Sequence, residues 1–223
     1  FGMSHSLPVI YCLAGDALRD KLPALEGLLA PALEQGVCPP FALTGYSPAA
    51  WNRDYSPSPA PALSAHSEAF TGGGASTLEW LQHRWLSEIP HRIPHSTERY
   101  LLGYSLGGLC ALWMVHQCSA FDGCACCSGS LWYDGWADYH QAHSAARPGS
   151  RIYLSLGRKE EKARDPRMAA VGAATKETYR RLQEDPYVAE TVLEWNSGGH
   201  FTDLPGRLAR ALLWLMKIQD QQE

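Results

Sequence analysis

The strongest constraint on the fold is a stretch in the middle of the chain, residues 100–109, which reads YLLGYSLGGL. Residues 99–102 are mostly apolar and predict a buried strand, and the apolar spacing over 106–117 predicts a helix. Between them the sequence fits G-x-S-x-G, in which a strand turns sharply into a helix and Ser105 stands at the turn. Such a turn leaves no room for side chains beside the serine, which explains the glycines. It presents a hydroxyl at the amino end of a helix, where free N–H groups stabilise negative charge.

Strands and helices alternate along the rest of the chain, and this order predicts the fold class. Apolar, β-favouring runs predict strands over 7–13, 37–44, 99–102, 121–127, 150–156 and 189–195. Helical spacing predicts helices over 18–33, 76–89, 106–117, 169–184 and 204–218, with a short helix ending near 145. Regular alternation favours an α/β fold with a mostly parallel sheet flanked by helices. The ligand site of such sheets lies beyond the carboxyl ends of the strands.

One segment interrupts the alternation. Residues 45–76 are rich in proline and contain the run Gly72-Gly73-Gly74, which predicts a long loop. A loop of this length inside a compact domain is usually functional or mobile. Ser76 and Glu79 have the spacing of a capping box, so the following helix is predicted to begin at Ser76 and to stop before Pro90.

Charge and length exclude several classes of partner. The 19 Lys and Arg residues stand against 23 Asp and Glu, a formal net charge of −4, so the chain lacks the basic field that nucleic-acid binding requires. No apolar stretch approaches the length of a membrane span and no targeting signal is recognisable, so we expect no membrane partner and a cytoplasmic location. Phe1 and Gly2 are interpreted as an addition ahead of Met3, and residues 3–223 are expected to form a single domain. No feature predicts an oligomeric state.

The seven cysteines do not predict a metal site or a disulfide. Cys124 and Cys127 form a C-x-x-C, but they fall inside a predicted strand rather than at the start of a helix. On a strand Cys124 and Cys126 face one side and Cys127 the other, which is wrong for a shared metal. We therefore interpret the cysteines as small buried residues in a reducing compartment, and expect neither a metal nor another cofactor.

A serine nucleophile needs a histidine base, and in strand–turn–helix sites of this kind the histidine comes last in the chain. Of the nine histidines, those after Ser105 are His116, His140, His143 and His200. His116 lies inside the helix after the turn, and His140 and His143 lie on a polar helix. Only His200 follows the last predicted strand, on a loop with two glycines, and it is the predicted base.

The acid that orients the base should follow the strand that ends at residue 156. Glu160 is the preferred candidate because it stands three residues after Gly157, with a short and rigid approach to His200. Glu161 and Asp165 remain open as alternatives within the charged segment 158–167.

Two backbone N–H groups are predicted to hold the oxyanion. The first is that of Leu106, which directly follows the nucleophile. The second comes from the loop after the first strand, where Asp16 is the candidate and Gly15 the alternative, because a glycine there permits close backbone approach.

Several stretches together resemble one family, the esterase D-like "putative esterase" family of α/β-hydrolases, and within it the enterobactin-type siderophore esterases. These stretches are 103–109 (GYSLGGL), 128–132 (SGSLW), 157–160 (GRKE), 198–200 (GGH), and 53–55 (RDY) followed by 72–74 (GGG). The resemblance covers nearly the whole chain from Val9 and implies an α/β-hydrolase fold and a serine hydrolase of carboxylic esters, with Ser105 as nucleophile and His200 as base. The sequence begins almost at the first predicted parallel strand, so we expect a minimal form without the usual amino-terminal antiparallel strands. It also has Glu, not the commoner Asp, as candidate acid.

Residues on the loops near the predicted site are candidates for binding substrate. Trp51, Tyr55, Trp132, Tyr133 and Trp136 are predicted to line an apolar or aromatic cleft, or else to pack the loops onto the sheet. Arg53 is a candidate to bind an anionic group, or to hold its own loop through Asp54. The basic residues of 158–167 either attract an anionic substrate or form a solvated surface.

These observations predict an esterase that works through an acyl-enzyme on a small-molecule ester, such as a siderophore lactone or a small acyl ester. Three alternatives remain open. The first is a thioesterase of the type that acts on S-acyl glutathione, and the second is an acyltransferase. The third is a binding protein without catalysis, which the retained serine, histidine and acid disfavour.

Overall fold

The computed structural model describes residues 7–13, 15–92 and 98–217, without the side chains of 15–17 and 89–92. Phe1 and Gly2, interpreted as an addition, lie outside the described residues. The strands are β1 Val9–Leu13, β2 Ala42–Gly45, β3 Pro59–Ala60, β4 Phe70–Thr71, β5 Arg99–Tyr104, β6 Gly123–Cys127, β7 Ser150–Gly157 and β8 Val188–Asn196. The α-helices are α1 Leu22–Glu34, α2 Trp51–Asp54, α3 Gly74–Arg92, α4 Leu106–Gln117, α5 Trp136–Ala142, α6 Pro166–Ala169, α7 Val171–Glu184 and α8 Leu204–Leu215. Short 3-10 helices span Gly15–Lys21 and Glu160–Lys162.

Six strands form one parallel sheet in the order β2-β1-β5-β6-β7-β8, and β3 pairs with β4 in a separate antiparallel ribbon. Leu13 lies beside Gly103, and Tyr104 lies beside Cys127, which in turn pairs with Ser155. The central strands therefore end together at one edge of the sheet. This architecture confirms the predicted α/β fold with a mostly parallel sheet and places the segments after β1, β5, β6, β7 and β8 at the same edge.

Helices cover both faces of the sheet, and the alternation of side chains along each strand divides the core in two. In β1, Tyr11 and Leu13 pack on the face covered by α3, α4, α5 and α7, whereas Ile10 and Cys12 pack on the face covered by α1 and α8. The central strands β1, β5, β6 and β7 are buried on both sides, which is why their sequences are mostly apolar rather than alternating, whereas the edge strands β2 and β8 are only partly buried.

The cysteines follow the same alternation, as predicted. Cys124 and Cys126 pack on the α4 side of β6, and Cys127 packs on the α8 side. All three are free thiols, and burial raises the pKa of each. Within 7–13, 15–92 and 98–217, no group of three or more His, Cys, Asp or Glu side chains is arranged to hold a metal ion.

Prolines shift two predicted boundaries near the start of the chain. The predicted strand over 37–44 is shorter and runs over Ala42–Gly45, because Pro39 and Pro40 have no N–H to donate to a ladder and precede the strand. The predicted helix over 18–33 begins at Leu22, with Pro23 in its first turn, and the residues before it form the 3-10 helix.

The prediction that Ser76 and Glu79 form a capping box at the start of the helix is wrong, because α3 begins at Gly74. The Gly73 N–H donates to the Arg53 carbonyl, the Gly74 N–H donates to the Ser56 carbonyl, and the Thr77 N–H already donates to Gly73 within the helix. A Cβ on Gly73 would lie 2.8 Å from the carbonyl oxygen of Arg53. The glycine run therefore allows the backbone of residues 53–56 to approach closely. No local sequence pattern indicates this contact.

The end of α3 also differs from the prediction that it stops before Pro90. Its helical backbone continues to Arg92, because a proline in the last turn removes only one of the helix's hydrogen bonds. The segment predicted as a long loop contains α2 and the β3–β4 ribbon, which place its backbone over the end of the sheet. None of the helices in the described ranges is both long and apolar enough to cross a membrane.

Candidate active site

The turn between β5 and α4 has the geometry that G-x-S-x-G predicts. Ser105 has a φ of +59° and a ψ of −126°, a backbone conformation that side-chain-bearing residues rarely adopt. A Cβ on Gly103 would overlap the carbonyl oxygen of Gly107, and a Cβ on Gly107 would overlap that of Leu13. Both glycines are therefore required sterically. They let β1, β5 and α4 approach closely and leave the Ser105 hydroxyl in a cleft at the amino end of α4.

Ser105, His200 and Glu160 form a continuous chain of hydrogen bonds. The Nε2 atom of His200 lies 3.0 Å from Ser105 Oγ, and its Nδ1 atom lies 2.7 Å from Glu160 Oε2. An ionised carboxylate only accepts hydrogen bonds, so Nδ1 carries the imidazole proton and Nε2 accepts from the serine hydroxyl. In this arrangement a histidine can remove the serine proton while a carboxylate stabilises the resulting imidazolium.

The second oxygen of Glu160 is held by three donors. Oε1 accepts from the Gly157 N–H at 2.7 Å, from Ser128 Oγ at 2.8 Å and from Arg207 Nη1 at 2.9 Å. Burial opposes ionisation, but the hydrogen bond and charge of His200, followed by the bonds from Gly157 and Ser128, hold the pKa of Glu160 below its ordinary value. The carboxylate is therefore charged at neutral pH although it is buried.

Arg207 is a site residue that the sequence reasoning missed. Its side chain is fully buried, and Nη1 reaches both Glu160 and Ser128 Oγ, the latter at 2.6 Å. Its Nη2 donates to the carbonyl of Gly199 at 2.7 Å, directly before His200. Arg207 thus joins Glu160 to the loop that carries His200. The signal that could have found it is an arginine on the apolar side of a predicted amphipathic helix, where a charge requires a buried partner.

The structure places Glu160 beside His200. It places neither Glu161 nor Asp165, the two alternative candidates, in that position. Glu161 packs so closely against α7 that a Cβ on Gly172 would overlap its carboxylate. Asp165 caps α6, where its Oδ1 accepts from the backbone N–H groups of Arg167 and Met168.

Of the predicted oxyanion donors, Leu106 lies in the cleft as the first residue of α4. The first N–H groups of a helix have no acceptor within the helix, so this N–H is available to a ligand. Gly15 and Asp16 begin the 3-10 helix after β1, and Leu13 at the end of that strand touches the turn at Gly107. The second donor, the backbone N–H of Asp16 or Gly15, stays a prediction.

Beside the serine is a cleft of about 370 Å³. Its apolar wall comes from the ribbon, the segment after β6 and the segment around α6, through Leu63, Phe70, Trp132, Met168 and Val171. Ser105, Ser128, Glu160 and His200, which all follow strand ends, form the polar side. The cleft is therefore an apolar trough with its hydrogen-bonding groups gathered at one end, as expected of a site for a small ester.

Of the predicted substrate residues, Trp132 lines this cleft, and so does Trp51. Tyr55 is fully buried, packs against Trp51 with ring centroids 4.9 Å apart and donates its hydroxyl to the Tyr46 carbonyl. Tyr133 is also buried and donates to the Ser58 carbonyl at 2.6 Å. Both tyrosines therefore lie behind the residues that line the cleft, and their packing supports those residues.

Two further predicted residues also lie outside the cleft wall. Arg53 is exposed and pairs with the neighbouring Asp54 at 2.6 Å. Trp136 is buried, and its Nε1 donates to Thr178 Oγ1. The sequence identifies residues near the site, but the direction of each side chain depends on packing between segments far apart in the chain.

The basic segment 158–167 divides into two roles. Lys159 and Lys162 line the cleft. Arg167 instead ties the two sides of the cleft together, because it donates to the carbonyls of Pro61 and Ala62, and its guanidinium lies 5.6 Å from the ring centre of Trp132.

Comparison with known proteins assigns the family. The model of the family described as "Putative esterase" matches residues 3–215. Among curated proteins, "Uncharacterized protein YbbA" of Bacillus subtilis is 26% identical over an alignment that covers 95% of this chain and 86% of that protein.

Solved structures show the same fold at low sequence identity. The siderophore hydrolase EstA of Aspergillus nidulans superposes with a TM-score of 0.77 at 17% identity, over 96% of this chain and 84% of that one. An IroE-like serine hydrolase of Shewanella oneidensis also gives a TM-score of 0.77, at 18% identity over 96% of this chain and 72% of that one. The chain therefore belongs to the "Putative esterase" family and is a carboxylic ester hydrolase with the α/β-hydrolase fold.

Proposed function

We propose that the protein cleaves carboxylic esters by a serine mechanism with an acyl-enzyme intermediate, in which Ser105 is the nucleophile, His200 the base and Glu160 the acid. One observation carries the proposal. The hydroxyl of a strained turn, an imidazole and a buried ionised carboxylate are linked by hydrogen bonds of 3.0 and 2.7 Å at one end of an apolar cleft. Ser105 has a positive φ, and backbone strain of this kind is typical of functional sites.

Acylation begins when His200 Nε2 takes the proton of Ser105 Oγ as that oxygen attacks the ester carbonyl. The carbonyl oxygen becomes negative and is stabilised by the Leu106 N–H and by a second N–H from Gly15 or Asp16. The tetrahedral intermediate then collapses, and His200 returns the proton to the departing alcohol. Glu160 keeps the Nδ1 proton in place throughout, since its second oxygen is anchored by Gly157, Ser128 and Arg207.

Deacylation repeats these steps with water. The His200 side chain is 25% exposed, so water reaches Nε2 once the alcohol has left. His200 removes a proton from that water, which attacks the acyl carbonyl, and Ser105 leaves with the proton. Access of water to the base supports hydrolysis rather than acyl transfer to another alcohol.

The proposed substrate is a small acyl ester or one arm of a siderophore lactone. A cleft of about 370 Å³ takes one ester group with its neighbouring substituent, but not a whole large lactone. The structural likeness to siderophore hydrolases and the two lysines that line the cleft support the siderophore alternative. A thioester substrate remains the second candidate, since the same hydrogen-bonded chain attacks both acyl groups. A cytoplasmic location stays a prediction.

The test compares wild type with Ser105→Ala on p-nitrophenyl acetate and butyrate. We expect the variant to lose about 10³-fold or more in kcat, because nothing else in the site replaces the nucleophile. Ser130→Ala, a serine in the same cleft outside the hydrogen-bonded chain, is the matched control and should keep most of the activity. Equal activity in wild type and Ser105→Ala would contradict the proposal.

A second experiment ranks the substrate classes. The assay is repeated with acyl thioesters, with added alcohols and with lactone siderophores, and the products are identified by mass spectrometry.

A further inference from the structure

Phe201, directly after the proposed base, is the most exposed of the large apolar side chains in the described part of the chain. It is 91% exposed, whereas Val37, Leu28 and Tyr187 are 63%, 48% and 44% exposed. Nearly the whole ring of Phe201 is therefore open to contact with a ligand. Phe201 also lines the cleft that holds Ser105, so its ring is available to whatever enters that cleft.

The position of the ring is set by the fold. The backbone carbonyl of His200 accepts from the Tyr104 hydroxyl, and the Gly199 carbonyl accepts from both Arg207 and the Thr202 N–H. The Phe201 ring stands edge-on against the imidazole, with ring centroids 4.9 Å apart and an interplanar angle of 86°. These hydrogen bonds fix the backbone on the amino-terminal side of Phe201, so the attachment point of the ring stays beside His200.

The chemistry of the proposed reaction indicates which half of an ester would meet this ring. His200 Nε2 must deliver its proton to the departing alcohol oxygen, so that oxygen lies within hydrogen-bond reach of the imidazole. The carbonyl oxygen points instead to the Leu106 N–H, and the acyl group leaves the tetrahedral carbon in a third direction. The alcohol half is therefore the part that extends past His200 and along Phe201.

We infer that Phe201 determines specificity for the alcohol half of the ester, by stacking an aromatic or extended apolar alcohol on its exposed ring. The inference rests on the proposed serine mechanism and names the substrate class that the site favours, namely esters of aryl-containing alcohols. One face of a phenyl ring packed against another is typically worth about a tenfold difference in kcat/KM.

The experiment uses two acetate esters, benzyl acetate and ethyl acetate, which form the same acetyl-enzyme and release alcohols of similar acidity. In Phe201→Ala the ratio of kcat/KM for benzyl acetate to that for ethyl acetate is expected to fall about tenfold relative to wild type. Phe201→Trp should retain the wild-type preference. Tyr187→Ala removes another exposed aromatic ring, away from the residues that line the cleft, and is the control that should leave the ratio unchanged.

A pre-steady-state burst with p-nitrophenyl acetate separates this role from a structural one. The alcohol has left before deacylation, so Phe201→Ala should slow the burst and change the subsequent steady-state rate constant by less than about twofold. Equal losses on both acetates, no change in the ratio, or a matching fall in deacylation would overturn the inference, because each means that Phe201 does not contact the alcohol. If wild type hydrolyses neither acetate and gives no burst, the proposed function itself fails. An active enzyme whose selectivity is unchanged in Phe201→Ala would instead contradict only the inference about Phe201.

Discussion

Glu160 and Arg207 form a buried ion pair on which the geometry of the site depends. Their side chains are 5% and 0% exposed, and the pair is completed by Ser128, Gly157 and the carbonyl of Gly199. Removing one member of a buried pair leaves the other charge without compensation, which costs about 3–5 kcal/mol. At this site the loss would also remove the hydrogen bonds by which Arg207 links Glu160 to the carbonyl of Gly199, directly before His200.

Arg207→Met tests this pair. We expect the free energy of unfolding to fall by about 3 kcal/mol, because the Glu160 charge stays buried without its partner, and kcat to fall because the His200 loop loses an anchor. Urea unfolding and p-nitrophenyl acetate assays measure the two effects.

The matched control is Arg210→Met on the same helix. Arg210 is 41% exposed and pairs with Glu194 at 2.7 Å, so its loss should cost less than about 1 kcal/mol. Equal destabilisation by the two variants, or an Arg207→Met protein with wild-type stability and activity, would contradict the role assigned to the buried pair.

At the scale of elements, three helices on one face of the sheet meet through a pair of buried histidines. His140 on α5 lies 3.2 Å from His116 on α4, and its Nε2 donates to the Thr178 carbonyl on α7 at 3.3 Å. That bond places the His140 proton on Nε2, so its Nδ1 accepts from His116 and both rings are neutral. Burial first, then the neighbouring His116, lowers the pKa of His140 to about 4, and burial lowers that of His116 as well.

This helix contact predicts a loss of stability in mild acid. The unfolded chain protonates His140 near its ordinary pKa of about 6.5, whereas the folded chain resists protonation until about pH 4, so stability present above pH 6.5 is lost as the pH falls through that interval. Between about pH 7.5 and about pH 5 the contribution of His140 falls by about 2 kcal/mol. Urea unfolding at both pH values measures the loss.

In His140→Gln the fall in stability between the two pH values should be smaller than in wild type by about that amount. His83→Gln, the same change at an exposed histidine on α3, should leave the wild-type pH dependence unchanged. An identical pH dependence in wild type and His140→Gln would contradict the neutral buried pair.

At the scale of the whole molecule, the sequence predicts the parts of the site that are set by strand ends. Ser105, Glu160 and His200 each follow a strand of a parallel sheet, and the common direction of the strands brings them to one edge. Periodicity and turn residues indicate Ser105 and His200, because strand direction and the sharp turn at Gly103 are encoded locally, but they leave Glu160, Glu161 and Asp165 all open as the acid.

The features that the sequence does not predict depend on contacts between distant segments. Arg207 is recognised only once Glu160 and Ser128 lie against it, and α3 begins at Gly74 because the 53–56 backbone approaches there. Tyr133 points behind the cleft because its hydroxyl donates a hydrogen bond to the backbone carbonyl of Ser58. None of these contacts has a local signature, so composition and spacing leave the direction of these side chains open.

The central claim is that Ser105 is the activated nucleophile, and covalent labelling tests it most directly. Wild type and Ser105→Ala are treated with a fluorophosphonate, which a serine activated by a neighbouring base attacks with loss of fluoride. Intact-protein and peptide mass spectrometry should find one phosphonate adduct, on Ser105 of the wild type and absent from Ser105→Ala. An adduct on a different residue, or equal labelling of the two proteins, would contradict the account.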